Sequence, residues 1–332
     1  MLAPLADLAT KVAFLRTVGA LDHVVETIET HMSWVFLTEQ RAFKLKKPIR
    51  LPFLDHSTVE RRRHSCEREL HLGRRLAASV YDAVVPLVAT PRGLAIGGEG
   101  EVVDWLVAMR RLPSARMLPP MLEHNVATLA DADAVGDVLA AFYGGAPRTT
   151  WSGAEYCRRM RDLVVGTADE LARRQAPRAQ LDAVVKTLLA AIEREAYALE
   201  ARVVDGRVVD AHGDLRPEHV CLEVPPVVID PLEFDDELRM LDAASELAFF
   251  ALECERLRAP WFGGRVFARY VERARDRVPP ALVALYRGQH ALTRALIALR
   301  RLDDAAPADR TRWRSKALDY LSRIESGSHP SP

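Results

Sequence analysis

Residues 210–236, DAHGDLRPEHVCLEVPPVVIDPLEFDD, constrain the fold more than any other stretch of the chain. Residues 220–222 and 227–229 are short apolar runs joined through Pro225-Pro226, a pattern that predicts a tight β-hairpin. Asp214 lies in the loop entering this hairpin and Asp230 ends its second strand, so the two acids are expected at one edge. Like charges held close are costly unless a cation lies between them or one is protonated. A divalent metal bound to a triphosphate relieves such repulsion, because Mg2+ prefers one or two carboxylates completed by phosphate oxygens. Asp also caps turns and ends strands, so the chemical reading needs support from the rest of the chain.

That support comes from a change of character along the sequence. Residues 33–38 (SWVFLT) and 41–47 (RAFKLKK) read as two strands of a hairpin around Glu39-Gln40. A helix is expected over about residues 57–77, capped by Ser57 or Thr58, with Val59, Cys66, Leu70, Gly73 and Ala77 on one face. Residues 83–89, 94–96 and 102–109 read as further strands, with Gly97-Gly98 turning between the last two. Beyond Leu112-Pro113 helical periodicity dominates. Leu181, Val184, Val185, Leu188, Ile192, Ala196, Leu199 and Val203 trace one long amphipathic helix, and residues 238–325 are almost wholly helical in period. The expected architecture is α+β: a small mixed lobe over residues 1–112, a mainly helical lobe over 113–325, and a disordered tail at 326–332.

The bulk numbers exclude several classes of function. Lys plus Arg and Asp plus Glu number 46 each, so no charge excess calls for a nucleic acid or an anionic membrane as partner. The four cysteines are scattered without paired spacing, which suits reduced thiols in the cytoplasm rather than disulfides or a zinc site. Asp7, Lys11 and Arg16 interrupt the first apolar stretch, and the apolar run at 243–252 is too short to span a bilayer.

His212-Gly213-Asp214-Leu215 resembles the HGDL catalytic loop of the aminoglycoside phosphotransferases and their choline-kinase-like relatives. Val228-Ile229-Asp230 resembles the strand that ends in the metal-binding Asp of kinases. The resemblance runs from about residue 31 to 256 and implies a protein-kinase-like fold, with ATP and Mg2+ as cofactors and a small-molecule acceptor. It is closest to a bacterial branch of mostly uncharacterised proteins, some fused to a P-loop domain. No GxxxxGK[ST] occurs here, so that part is expected to be absent. By the resemblance Asp214 is the catalytic base, His212 braces the loop, and Asp230 is the metal ligand. Where the family carries a second metal-binding Asn, this chain has His219. Imidazole suits Mn2+ or Zn2+ better than Mg2+, which leaves three readings: a tolerated ligand swap, a changed metal preference, or a weakened catalyst.

Strand alternation puts Ala42, Lys44 and Lys46 on one face of residues 41–47 and Phe43 and Leu45 on the other. This resembles the V-A-I-K strand of kinases, whose small residue faces adenine and whose Lys reaches the phosphates. Lys44 is the choice for that role and Lys46 its rival, although lysines in a strand also suit a solvated edge. Glu69, at the border of the helix's apolar face, is the expected partner of the lysine, with Glu67 left to solvent. Residues 105–112 would form the hinge, with backbone groups around Met109 offered to adenine. Glu233, Asp235 and Asp236 could line an acidic pocket for a cationic acceptor, and Glu246 stands where the family has Asp, as structural bracing. Two functions are compatible with these residues: a kinase acting on a sugar, aminoglycoside or amino alcohol, or a degenerate kinase fold that binds nucleotide or a protein without turnover.

Overall fold

The structure, a computed structural model, describes residues 7–17, 24–51, 53–303 and 306–325; the expected tail lies outside the described residues. Helix α1 (Leu8–Arg16) begins at Asp7, whose carboxylate accepts the Thr10 N–H at 2.8 Å. Strands β1 (Glu26–Glu29), β2 (Ser33–Leu37) and β3 (Arg41–Lys46) follow, then a small pair, β4 (Arg50–Leu51) and β5 (Leu54–Asp55). Helix α2 (Val59–Ala77) is capped by the Thr58 side chain, as the sequence suggests. Strands β6 (Tyr81–Thr90), β7 (Gly93–Ile96) and β8 (Glu101–Arg110) complete an antiparallel sheet of order β1-β2-β3-β8-β6-β7, and the short helix α3 (Leu118–Glu123) comes next.

The two faces of β3 separate as its alternation demands. Phe43 and Leu45 join Val12, Leu15, Phe36 and Leu106 in one core, with α1 on that side. Ala42 joins Cys66, Tyr81, Val107, Met109, Cys221 and Val227 in the other, where α2 packs. Gly73 is required on α2: a Cβ there would lie 2.3 Å from the Tyr81 ring.

The helical part comprises α4 (Leu129–Gly145), α5 (Gly153–Arg173), α6 (Arg178–Arg194) and α7 (Ala196–Val204). The single long helix expected over 181–203 is two helices. The break is at Glu195 (φ −97°, ψ 10°), whose N–H reaches the carbonyls of both Ala191 and Glu193. Periodicity persists across the break because α6 and α7 both pack against α5, so each buries its own apolar stripe. Strand β9 (Val208–Asp210) then leads to the hairpin of β10 (Val220–Cys221) and β11 (Val227–Val228). After α8 (Asp236–Arg239) comes β12 (Met240–Asp242), which pairs with β9 inside a stretch expected to be helical. Helices α9 (Ala243–Arg256), α10 (Pro260–Ala274), α11 (Pro280–Arg300) and α12 (Pro307–Glu325) follow.

The chain forms two compact units: Met1–Val126 with Glu218–Leu238, and Ala127–Pro217 with Arg239–Pro332. A single cut near residue 112 therefore gives way to a division in which the β10–β11 hairpin returns to the first unit. The reason is local: Cys221 and Val227 are buried against α2 and β8 residues, and the Leu222 N–H donates to the Arg116 carbonyl at 2.8 Å.

Candidate functional site

In the first unit, β3, α2 and β11 bring together the lysines and acids singled out from the sequence. Glu69 is buried, and its two carboxylate oxygens accept from Lys44 Nζ (2.9 Å) and Lys46 Nζ (2.7 Å). Lys44 continues to Oδ1 of Asp230, 2.5 Å away. Burial opposes its charge, but Asp230, Glu69 and Glu233 outweigh that and hold the ammonium well above its ordinary pKa. Burial likewise pushes the Asp230 carboxyl up, and Lys44 and His219 overcome it to hold the group well below the usual carboxylate range. Lys46 is 1% exposed and also grips Glu233. Glu67 instead pairs with Arg63 on the exposed side of α2, and Lys47 with Glu29.

Asp230 sits in the left-handed region at φ +62°, a conformation Asp tolerates better than most residues. Its N–H donates to the Tyr81 hydroxyl at 2.9 Å. The carboxylate is 42% exposed, and its second oxygen lies 3.5 Å from His219 Nε2. Among the described residues no three His, Cys, Asp or Glu side chains form a ready metal cage. A cation here would take Asp230, with His219 adjacent, and draw its remaining oxygens from a ligand, which fits a metal carried by phosphates.

Met109 faces Ala42 and Tyr81 across β8, so its backbone lies inside the sheet rather than beyond it, and pairing continues as Arg110 N–H reaches Val80 and Arg111 N–H reaches Gln40. The acids after Asp230 are also committed. Glu233 is buried on Lys46, Asp235 accepts the N–H groups of Glu237 and Leu238, and Asp236 pairs with Arg68. Each of the three acids suggested for an acceptor pocket therefore already has a local partner.

In the second unit, the HGD loop leaves β9, held at its start by Arg239 Nε on Asp210 (2.7 Å) and by the Ala211 N–H on the Arg239 carbonyl. Gly213 has φ +86°, open to glycine at little cost. The buried Glu246 accepts from the N–H groups of His212 (3.1 Å) and Gly213 (2.5 Å) and from the Tyr143 hydroxyl (2.8 Å). Burial and the Asp214 charge raise its pKa against the pull of those bonds. His212 Nδ1 accepts the Asp214 N–H at 3.3 Å. Arg216 Nε lies 3.0 Å from Asp214 Oδ2. Arg216, Tyr81 and Tyr143 were missed by sequence reasoning. Only Arg216, beside the motif, carried a signal that could have found it.

No family model matches the chain. Uncharacterised proteins of Mycobacterium tuberculosis and Mycobacterium bovis are each 31% identical over 310 residues, covering 90% of this chain and 60% of their own length. The chain thus spans about three-fifths of the curated relatives it matches. Among solved structures, a choline/ethanolamine kinase family protein from Mesorhizobium loti aligns with TM-score 0.57 and 17% identity over 97% of this chain and 95% of that one. The GDP complex of an aminoglycoside 2'-phosphotransferase aligns with TM-score 0.53 and 14% identity, covering 96% and 98%. The fold is that of the aminoglycoside phosphotransferases and choline kinases. A choline kinase from Streptococcus pneumoniae shares this kinase-like fold over 95% of the chain and 99% of its own, with TM-score 0.52 and 14% identity. Among the described residues no helix is long and apolar enough to cross a membrane.

Proposed function

We propose that the chain is a small-molecule kinase that moves the terminal phosphoryl group of ATP to a hydroxyl of a sugar, aminoglycoside or amino alcohol. The observation that carries this reading is the buried Lys44–Glu69 pair joined to the half-exposed Asp230. Neighbours in fold are named as phosphotransferases of aminoglycosides and as choline kinases, whose acceptors carry hydroxyls. Lys44 directs its ammonium at phosphate oxygens, and Glu69 fixes that ammonium in place. Asp230, with His219, would hold a Mg2+ or Mn2+ ion, whose contribution when bound is to neutralise phosphate charge. A carboxylate oxygen of Asp214 accepts the proton of the acceptor hydroxyl, while Glu246 and His212 keep the loop rigid.

The test is consumption of ATP, with GTP in parallel, against a panel of hydroxyl acceptors with Mg2+ or Mn2+. Asp214→Asn and Asp230→Asn should each lose at least about 100-fold in rate. Equal rates for wild type and Asp214→Asn would exclude catalysis at this site and favour the degenerate, binding-only reading that His219 motivates. His219→Asn should raise the Mg2+-supported rate relative to Mn2+; no change with either metal would remove His219 as a cation ligand.

A further inference from the structure

Lys46 and Glu233 form a second buried ion pair behind the first, and the pattern of their contacts differs from that of Lys44. Lys44 is 13% exposed and reaches the half-open Asp230; Lys46 is 1% exposed and, among the described residues, its ammonium pairs with Glu69 and Glu233. A cation closed off in this way cannot meet a phosphate without leaving the buried Glu233 unpaired, a strongly unfavourable exchange. What it can do is orient. Lys46 occupies one oxygen of Glu69, which turns the other oxygen onto Lys44. Through Glu233 it also takes hold of the segment that follows Asp230.

That segment is fastened at further points. Arg68, beside Glu69 on α2, donates to the Glu233 carbonyl at 2.7 Å and pairs with Asp236, and the Phe234 ring lies 5.3 Å from Phe53. The charges are also instructive. Two lysines face three carboxylates, Glu69, Asp230 and Glu233, and the most exposed of the three is Asp230. The cluster therefore keeps one net negative charge, and Asp230 is the carboxylate of the three that is open to an incoming cation.

Resting on the phosphotransfer reading above, we infer that Lys46 and Glu233 are positioning residues for the metal-binding step: they set Glu69 against Lys44 and hold the loop that presents Asp230. Lys46 is therefore not a second phosphate lysine, and Glu233 is not an acceptor-binding acid. Residues that orient a ligand-bearing side chain cost metal affinity when removed, even though they never touch the metal.

The experiment measures binding of ADP and GDP by calorimetry, with and without Mg2+, so that no acceptor is needed. Glu233→Gln keeps the shape and leaves Lys46 paired with Glu69; Lys46→Gln/Glu233→Gln leaves Glu69 paired with Lys44. Neither buries an unpaired charge, whereas Lys46→Gln alone does, so thermal melts accompany all three variants. The expected result is that Mg2+-dependent tightening of nucleotide binding falls about 10- to 100-fold in Glu233→Gln, and no further in the double variant. Metal-free nucleotide affinity should stay within about threefold, a split that simple loss of stability would not produce. Unchanged Mg2+-dependent binding in folded Glu233→Gln overturns the proposal, as does a double variant whose losses multiply. A wild type that binds neither nucleotide removes the phosphotransfer reading itself, a result the variants cannot mimic.

Discussion

Lys44 Nζ stands 2.5 Å from Asp230 Oδ1 and 2.9 Å from Glu69 Oε1, so one ammonium ties the third strand of the sheet to helix α2 and to the end of the β10–β11 hairpin. This link explains why the hairpin belongs with the first unit although the helices α4 to α7 intervene in sequence. Apolar burial of Cys221 and Val227 supplies the attraction, and the charges set where the Asp230 carboxylate ends up.

Lys44→Met should therefore separate binding from stability. Glu69 retains Lys46, and Asp230 is half open to water, so the loss of stability should be about 1–3 kcal/mol rather than the larger cost of a stranded buried charge. Nucleotide affinity should fall at least about tenfold, since a charge-assisted contact to phosphate is lost. Urea unfolding and calorimetric titration check the two numbers, and a folded, destabilised variant that keeps wild-type affinity would contradict the assignment.

Gly73→Ala tests the close approach behind Asp230. An added Cβ would sit 2.3–2.7 Å from three atoms of the buried Tyr81 ring, whose hydroxyl accepts the Asp230 N–H. Overpacking of this kind costs about 1–3 kcal/mol. Tyr81→Phe removes only the hydrogen bond, for about 1 kcal/mol. Denaturation midpoints should therefore rank wild type, Tyr81→Phe and Gly73→Ala in falling order.

Much of this arrangement is legible in the sequence, for identifiable reasons. Alternation along β3 is enforced by two apolar cores, one on each side, so Lys44 and Lys46 had to share the face of Ala42. Glu69 is legible because it lies three residues from the buried Cys66, on the side of α2 that meets the sheet. The fate of Glu233 is not legible, because a surface acid and the partner of a buried lysine have the same local sequence; only tertiary contact distinguishes them. The break between α6 and α7 escapes for a related reason, since an amphipathic stripe records what is buried and not whether the helix axis is continuous. Tyr81 lies at the start of an ordinary strand, and nothing in its neighbours announces a bond to Asp230.

Stability should fall on mild acidification. His56, beside Lys46 and Arg62 and bonded to Ser65, is pushed down to about 4, first by burial and then by those cations. His290, bonded to Ser245 and near Arg294, is pushed to about 4 by burial. Both groups titrate near 6.5 when unfolded, so between pH 6.5 and 4 the unfolded chain binds more protons than the folded one. Folding stability from these groups is thus fully present above pH 6.5 and is lost as pH falls toward 4. Each contributes up to about 3 kcal/mol across that window. Urea midpoints measured from pH 7 to 5 should decline, and His56→Gln, if it folds, should flatten the slope.

Glu246 is the last test, because it probes the loop that carries Asp214 without touching the acid itself. Its two oxygens receive the His212 and Gly213 N–H groups and the Tyr143 hydroxyl, all acting as donors. Glu246→Gln replaces one acceptor with an amide donor, which sets donor against donor in a buried site and should cost about 1–3 kcal/mol. The same change frees the backbone before Asp214, so turnover of the folded variant should also fall, by about 100-fold for a displacement near 1 Å. Tyr143→Phe removes a single bond and leaves both backbone donors satisfied, so it should cost about 1 kcal/mol with little loss of rate. A Tyr143→Phe variant as inactive as Glu246→Gln would mean that Tyr143, and not the pair of backbone bonds, holds the catalytic loop.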